Sequence, residues 1–229
     1  DTTGLLGQWQ ENMPTEEYVS YRAGGRAQYA YRPYHVEDLS RCLAQIPADV
    51  PVLMVGKATN LLFSDEGFRG VVILLPEMVR QNRHGSFFEV SEDGNEGILS
   101  LSAALSCPKA AQIAVASGFI GLEFFAGIPG SIGGALVMNA GSKGSSTWDH
   151  VIRAKLMNRQ GECFYITPDQ ATIGYRKVVL PYKEEVWFMG ADFKLAYGDV
   201  QQAKAVIEEM LSWRKTHQPL LLPNAGSVF

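Results

Sequence analysis

The sequence predicts a mixed α+β fold, and three observations carry that reading. Apolar residues make up 46% of the 229 positions against 19% charged, which is enough for a core and argues against disorder. Short apolar runs of strand character are interleaved with only a few segments of helical period. The 23 glycines and 11 prolines speak for many turns rather than a helix bundle.

Taken in order, Tyr18 to Tyr31 has aromatics and glycines without helical period, and Gly24-Gly25 punctuates it; two short strands with a turn are expected. Val36 to Ile46 places apolar side chains at 36, 39, 42, 43 and 46, one face of a helix that stops before Pro47. Val52–Val55 and Val71–Leu75 read as short buried strands, Ser100–Ala104 as another. Lys109 to Ser117 reads as a helix with Pro108 in its first turn and Gly118 as its stop. Val151–Met157 and Glu162–Ile166 form a hairpin around Gly161, and Val186–Tyr197 is a long strand. Asp199 caps a final helix with Val200, Ala203, Ile207, Met210 and Leu211 on its apolar face. The tail from Gln218 to Phe229 is extended or looped, and the polar stretch Pro76 to Asn95 is a candidate boundary between lobes.

The net charge of −4 gives no electrostatic reason to expect nucleic acid or an anionic membrane as a partner. Cys42, Cys107 and Cys163 form no CxxC and no Cys/His cluster, so no metal is expected and reduced, packed thiols are. That fits a cytoplasmic protein. No signal peptide is visible, and a sequence opening at Asp1 is expected to lack some N-terminal residues. Gly118 to Ala140 carries a single charge, Glu123, but six glycines and Pro129 interrupt it; a buried, glycine-rich turn region is expected rather than a membrane helix.

Two loops stand out chemically. Gly56-Lys57-Ala58-Thr59-Asn60 follows an apolar strand, where small residues let a ligand approach the backbone and successive N–H groups can form an anion nest. An ordinary strand-end turn explains this loop taken alone. Gly127-Ile128-Pro129-Gly130-Ser131-Ile132-Gly133-Gly134 packs four glycines and a proline into eight apolar-flanked positions, with Asn139-Ala140-Gly141 close behind. Buried turns need acceptors for their N–H groups, and a diphosphate is a good one; a tight core crossing is the alternative. Neither loop has the spacing of a Walker A or Rossmann fingerprint, so a dinucleotide held here needs a different fold.

Together these segments resemble the enolpyruvyl-glucosamine reductases. Ser20-Tyr21-Arg22-Ala23-Gly24-Gly25 is similar to the family's S-(F/W)-R-x-G-G, and Gly56 to Leu62 to its G-x-G-S-N-L-L flavin loop. Gly127 to Gly141 resembles G-I-P-G-(S/T)-V-G-G-A…M-N-A-G, and Tyr175-Arg176 falls at Y-R-x-S. Arg214, Gln218-Pro219 and Pro223 to Phe229 resemble R…Q-P-L…P-x-A-G-S-V-F. Five motifs in order, spanning Ser20 to Phe229, leave little room for chance.

The resemblance implies an FAD-binding lobe of the vanillyl-alcohol oxidase type in two subdomains, residues 1–76 and 77–198, with 199–229 starting a substrate lobe. It implies noncovalent FAD held by Lys57, Ala58, Thr59, Asn60 and Leu61, and by Ile128, Pro129, Gly130, Ser131, Gly133, Gly134, Asn139 and Gly141. NADPH is then the hydride donor and a UDP-sugar the substrate, contacted by Tyr175, Arg214 and Gln218. The product would be UDP-N-acetylmuramate, a peptidoglycan precursor. Arg176 is implied as the cation that stabilises an enolate and Ser227 as the proton donor. The family's glutamate partner lies after the A-G-S-V-F motif, so no residue here takes that role. Departures from the pattern are Ala58-Thr59 for Gly-Ser, Val178 for the serine of Y-R-x-S, and Tyr18 for His or Asn. The alternatives are a sugar or lactone oxidase of the same fold, a flavin- or UDP-sugar-binding relative without turnover, and a plain α+β domain.

Overall fold

The computed structural model describes residues 4–75, 88–93, 95–220 and 222–224, with 88–93 as backbone only. The chain opens with β1 (Gln8–Pro14) and β2 (Arg26–Arg32), turns through helix α1 (Val36–Gln45), and continues into β3 (Val52–Val55) and β4 (Phe68–Leu74). These strands form a mixed sheet in the order β1-β2-β4-β3. β1 and β2 are antiparallel, whereas β2 and β3 both lie parallel to β4. β4 is buried on both faces: Val71 and Ile73 point with α1 into one core, Val72 and Leu74 into another beneath the loop that follows β3.

The second half adds β5 (Phe88–Asp93), β6 (Glu96–Ser102), α2 (Cys107–Ala116), β7 (Phe119–Ile120), and a short helix α3 (Ile132–Met138). Two small hairpins follow in turn: β8 (Gly141–Ser142) with β9 (Ser145–Ser146), and, after β10 (Val151–Asn158) and β11 (Cys163–Ile166), β12 (Thr172–Gly174) with β13 (Lys177–Val179). Strand β14 (Val186–Tyr197) and helix α4 (Val200–His217) close the described chain. The larger sheet runs β11-β10-β14-β6-β5 with β7 on the end of β14, antiparallel throughout. Its core takes in α2, the aromatics Phe119, Phe125 and Phe193, and the α4 residues Ala203, Ile207 and Met210. Asp199 caps α4 by accepting from the N–H groups of Gln201 and Gln202. Leu211, expected on the packed face of α4, is exposed.

The two sheets meet through a shared core. Leu39, Cys42 and Leu43 of α1, with Ile46 just past its end, pack with Met157 and Met189 of the second sheet and with Ala103 and Ala104 just after β6. The expected boundary at Pro76 to Asn95 lies largely outside the described residues. Two local expectations are corrected. Tyr18–Tyr31 yields one strand, β2, preceded by a single 3₁₀ turn at Thr15–Glu17 and irregular chain; β2 pairs instead with β1. β1 is mostly exposed and polar, so only its tertiary partner makes it a strand. The glycine-rich segment is also more ordered than a turn region: Ser131 caps α3 by accepting from Gly134 N–H, and the N–H groups of Ile132 and Gly133 donate to carbonyls just past the end of β6. Among the described residues, no helix is long and apolar enough to cross a membrane, and no His/Cys/Asp/Glu cluster could hold a metal ion.

Candidate functional site

The structure brings the two glycine loops face to face. A Cβ built on Gly56 would stand 2.2 Å from Ser131 Oγ, and one on Gly130 would stand 3.6 Å from Thr59 Oγ1. Loop one hangs from the C-terminal end of β3 and loop two leads into α3, so each is carried by regular structure. Ala58 has φ 51° and is buried, while Lys57 and Asn60 are exposed and Thr59 half-buried. Leu61 packs partly into the core below.

A count of backbone donors shows what these loops can offer. Ile132 N–H is donated to Leu105 O at 2.9 Å and Gly133 N–H to Ala103 O at 2.9 Å. Gly134 N–H reaches Ser131 Oγ at 3.4 Å. Gly133 therefore serves packing: a Cβ there would meet Ala103 Cβ at 3.0 Å. By contrast, the N–H groups of Lys57, Ala58, Thr59, Asn60, Leu61, Gly130 and Ser131 donate to no described residue. Clustered, uncommitted N–H groups on two facing loops suit a diphosphate, which accepts several such bonds at once. No cationic side chain is needed for that, and Lys57 adds one. The residues present thus fit a dinucleotide such as FAD.

The remaining residues fall around this pair of loops in two groups. Ser20 N–H donates to Ala58 O at 3.3 Å, and Asn224 N–H donates to Ser20 O at 3.2 Å. The opening motif thereby bridges the first loop to the tail. Ser227 itself lies outside the described residues. At the end of α4, Arg214 Nε donates to Gln218 Oε1 at 3.0 Å, and burial holds the Arg214 pKa below its ordinary value. The second group hangs from Asn139. It ends α3 with φ 41°, its Nδ2 donates to Gly174 O at 3.2 Å, and its Oδ1 accepts from Trp148 N–H at 3.1 Å. Gly174 starts the two-residue turn Tyr175-Arg176 between β12 and β13. Tyr175 is 93% exposed and Arg176 is exposed with φ 54°. Gly141 is required by its own hairpin, since a Cβ there would meet Ser145 O at 2.5 Å.

Sequence reasoning picked both loops but not what ties them together. The carbonyls of Ala103 and Leu105, the Ser20 bridge and Asn224 are backbone partners, and a backbone partner leaves no signature in residue type.

Comparison with known proteins identifies the family. An FAD binding domain family matches residues 27–167, which defines the chain as a flavoprotein of that domain class. It is 39% identical to the UDP-N-acetylenolpyruvoylglucosamine reductase of Thiobacillus denitrificans, over 98% of this chain and 71% of that protein. It is 40% identical to the corresponding reductase of Nitrosomonas eutropha, over 100% of this chain and 69% of that one. The crystal structure of the UDP-N-acetylenolpyruvylglucosamine reductase from Thermus caldophilus superposes with a TM-score of 0.75 at 26% identity, covering 98% of this chain and 75% of that chain. The chain belongs to the UDP-N-acetylenolpyruvoylglucosamine reductase family.

Proposed function

We propose that the protein reduces UDP-N-acetylenolpyruvoylglucosamine to UDP-N-acetylmuramate with NADPH in the cytoplasm, in peptidoglycan precursor synthesis. The observation that carries this is the meeting of two loops with uncommitted N–H groups, Gly56–Leu61 and Gly130–Ser131, in a chain of this family. FAD, when bound, supplies at this site the hydride it has taken from NADPH. Lys57 to Leu61 and Ile128 to Ser131 hold it noncovalently, with Gly133 and Gly134 fixing the start of α3 behind them; Asn139 ties the end of α3 to the β12–β13 turn and Gly141 forms the hairpin that follows.

The chain's own residues have two tasks in the chemistry. Hydride arriving at the β-carbon of the enolpyruvyl double bond pushes its electron pair toward the carboxylate, so an enolate develops. A fixed cation lowers that barrier, and Arg176 takes this role from its turn. A proton must then be delivered to the α-carbon, which completes the saturated lactyl ether. Ser227 gives it, and solvent restores the hydroxyl proton. Tyr175, Arg214 and Gln218 orient the UDP-sugar so that the two additions occur at the correct carbons.

The half-reactions separate these roles. NADPH should bleach the visible flavin absorbance, and the enolpyruvyl substrate should restore it under anaerobic conditions. Ser227→Ala is expected to leave the first half-reaction intact and slow the second by about a hundredfold or more. Equal slowing of both would remove Ser227 from the protonation step. A protein whose flavin is reduced by NADPH but never reoxidised by the substrate would defeat the proposed reaction.

A further inference from the structure

Far from both glycine loops, one arginine ties the two sheets together. Arg159 stands in the turn between β10 and β11, and its side chain is 11% exposed. Its Nη2 donates to Pro47 O and to Val50 O, both at 2.6 Å, and its Nη1 to Glu185 Oε2 at 2.5 Å. Its buried Nε has no partner among the described residues. Two residues on, Ser40 Oγ of α1 donates to Gly161 O at 2.8 Å, and a Cβ on Gly161 would meet Ser40 O at 2.4 Å. A groove of about 480 Å³ opens alongside, between Asp49 and Pro51 on one wall and Gln160 and Glu184 on the other.

A buried guanidinium is an expensive way to hold a fold together, because its lost hydration offsets much of what its bonds contribute. What it offers is geometry: a rigid fork fixes three acceptors relative to one another. Those acceptors sit at the roots of the two loop supports. Val50 leads directly into β3, and β3 ends at Gly56. β3 is the edge strand of its sheet and, among the described strands, pairs with β4 alone. Glu185 directly precedes β14, whose Met189 O accepts from Ala103 N–H; Ala103 O in turn accepts from Gly133 N–H of the second loop. A four-residue strand is only about 13 Å long and stiff, so a shift at its root reaches its tip.

We infer that Arg159 is a positioning residue for the flavin: by pinning the starts of β3 and β14 to each other, it sets the spacing between the first loop, at the tip of β3, and the second, held beside Met189 through Ala103. The inference rests on the reading that Lys57 to Leu61 and Gly130 to Ser131 hold the diphosphate. Arg159 touches neither loop, so its effect on FAD would pass through the two strands alone.

The test is FAD titration of the apoprotein, read by quenching of flavin fluorescence and by visible circular dichroism of the bound flavin, at a temperature where each variant is fully folded. Arg159→Ala is expected to weaken FAD binding about tenfold and to alter the flavin dichroism. Glu185→Gln keeps an amide oxygen to accept from Arg159 Nη1 as well as both carbonyl contacts, and should bind within about twofold of the unmodified protein. Asp199→Ala, which uncaps α4 and lowers stability without touching β3 or β14, should leave FAD affinity unchanged. Arg159→Ala that melts earlier yet binds FAD with unchanged affinity and dichroism would reduce Arg159 to a structural residue and overturn the inference while leaving the site reading intact. Asp199→Ala that weakens FAD as much as Arg159→Ala would overturn it too. Failure of the unmodified protein to bind FAD would remove the site reading and the inference together.

Discussion

The contact between the two glycine loops can be tested at one pair of atoms. Gly56 does not occupy a positive-φ conformation, so alanine there meets no backbone strain. The new methyl would instead lie 2.2 Å from Ser131 Oγ and 3.1 Å from Ser131 Cβ. The first distance is impossible and the second merely tight. Either Ser131 rotates and gives up its bond to Gly134 N–H, or the loops separate; overpacking of this kind costs about 1–3 kcal/mol. Ser131→Ala alone should cost only about 0.5 kcal/mol, since the cap it removes is long at 3.4 Å. With Oγ gone, Gly56→Ala faces only the tight Cβ contact, and the reduced freedom of the unfolded chain returns about 0.4–1 kcal/mol. The double variant should therefore be more stable than the sum of the singles by about 1–2 kcal/mol. Urea unfolding of all four proteins measures that coupling, and FAD titration reads the same cycle at the site. Gly56→Ala is expected to weaken FAD about tenfold, by about the energy of the clash, with most of the loss recovered on adding Ser131→Ala. Strict additivity in both measurements would mean that the loops do not meet at this point and that the cradle is drawn wrongly.

Three further outcomes are expected. Asp38 is fully buried and accepts from Tyr31 OH at 2.6 Å, Leu6 N–H at 2.7 Å and Tyr34 N–H at 2.8 Å, so Asp38→Ala should cost about 3 kcal/mol in urea unfolding. Burial alone would raise the Asp38 pKa, but those bonds outweigh it and hold it below its ordinary value; its contribution should be complete above about pH 4 and fade as pH falls through the lower folded value, a slope that Asp38→Asn abolishes. Burial pushes the Cys42 and Cys107 thiols up to about 12 while Cys163 is exposed, so a thiol-reactive disulfide should label Cys163 fast and the other two only on unfolding. Arg176→Gly should raise stability by about 1 kcal/mol by relieving its left-handed backbone, yet abolish most substrate-dependent reoxidation of the flavin; a variant that loses stability would contradict the strain assigned to that turn.

Legibility from sequence followed burial. Helix α1, strands β3 and β14, and the β10–β11 hairpin were readable because each buries a periodic apolar face against a core. β1 was not, because Gln8 to Asn12 bury little and are held by pairing with β2. α3 was not, because glycine carries low helix propensity, and what forms the helix is a cap from Ser131 and two carbonyls some thirty residues earlier in the chain. The site showed the same split. Its residue types were legible as motifs, but their roles were not: four loop glycines look alike in sequence, and only the structure separates Gly133, needed for packing against Ala103, from Gly130, whose N–H is uncommitted.

Backbone strain offers an independent argument for where the site lies. Among the described residues, six that are not glycine have positive φ: Asn12, Arg22, Ala58, Asn139, Lys143 and Arg176. Two lie outside the segments of the site. Asn12 stands within β1, where it and Gln28 are left out of the β1–β2 pairing together with no shift of register, and Lys143 with Gly144 makes the tight turn between β8 and β9. The other four fall one in each of the segments that converge here: the opening motif, the first loop, the end of α3 and the β12–β13 turn. Glycine would relieve each position of about 1 kcal/mol, and at Arg176, exposed at a hairpin tip, no packing stands against the change. Ala58 differs, because its buried methyl contributes to the core below and offsets part of its strain. An exposed arginine in a conformation that favours glycine contributes its charge and little packing. That supports the proposal that Arg176, placed in this role by the family resemblance, stabilises the enolate rather than Arg214, which is partly buried and bonded to Gln218.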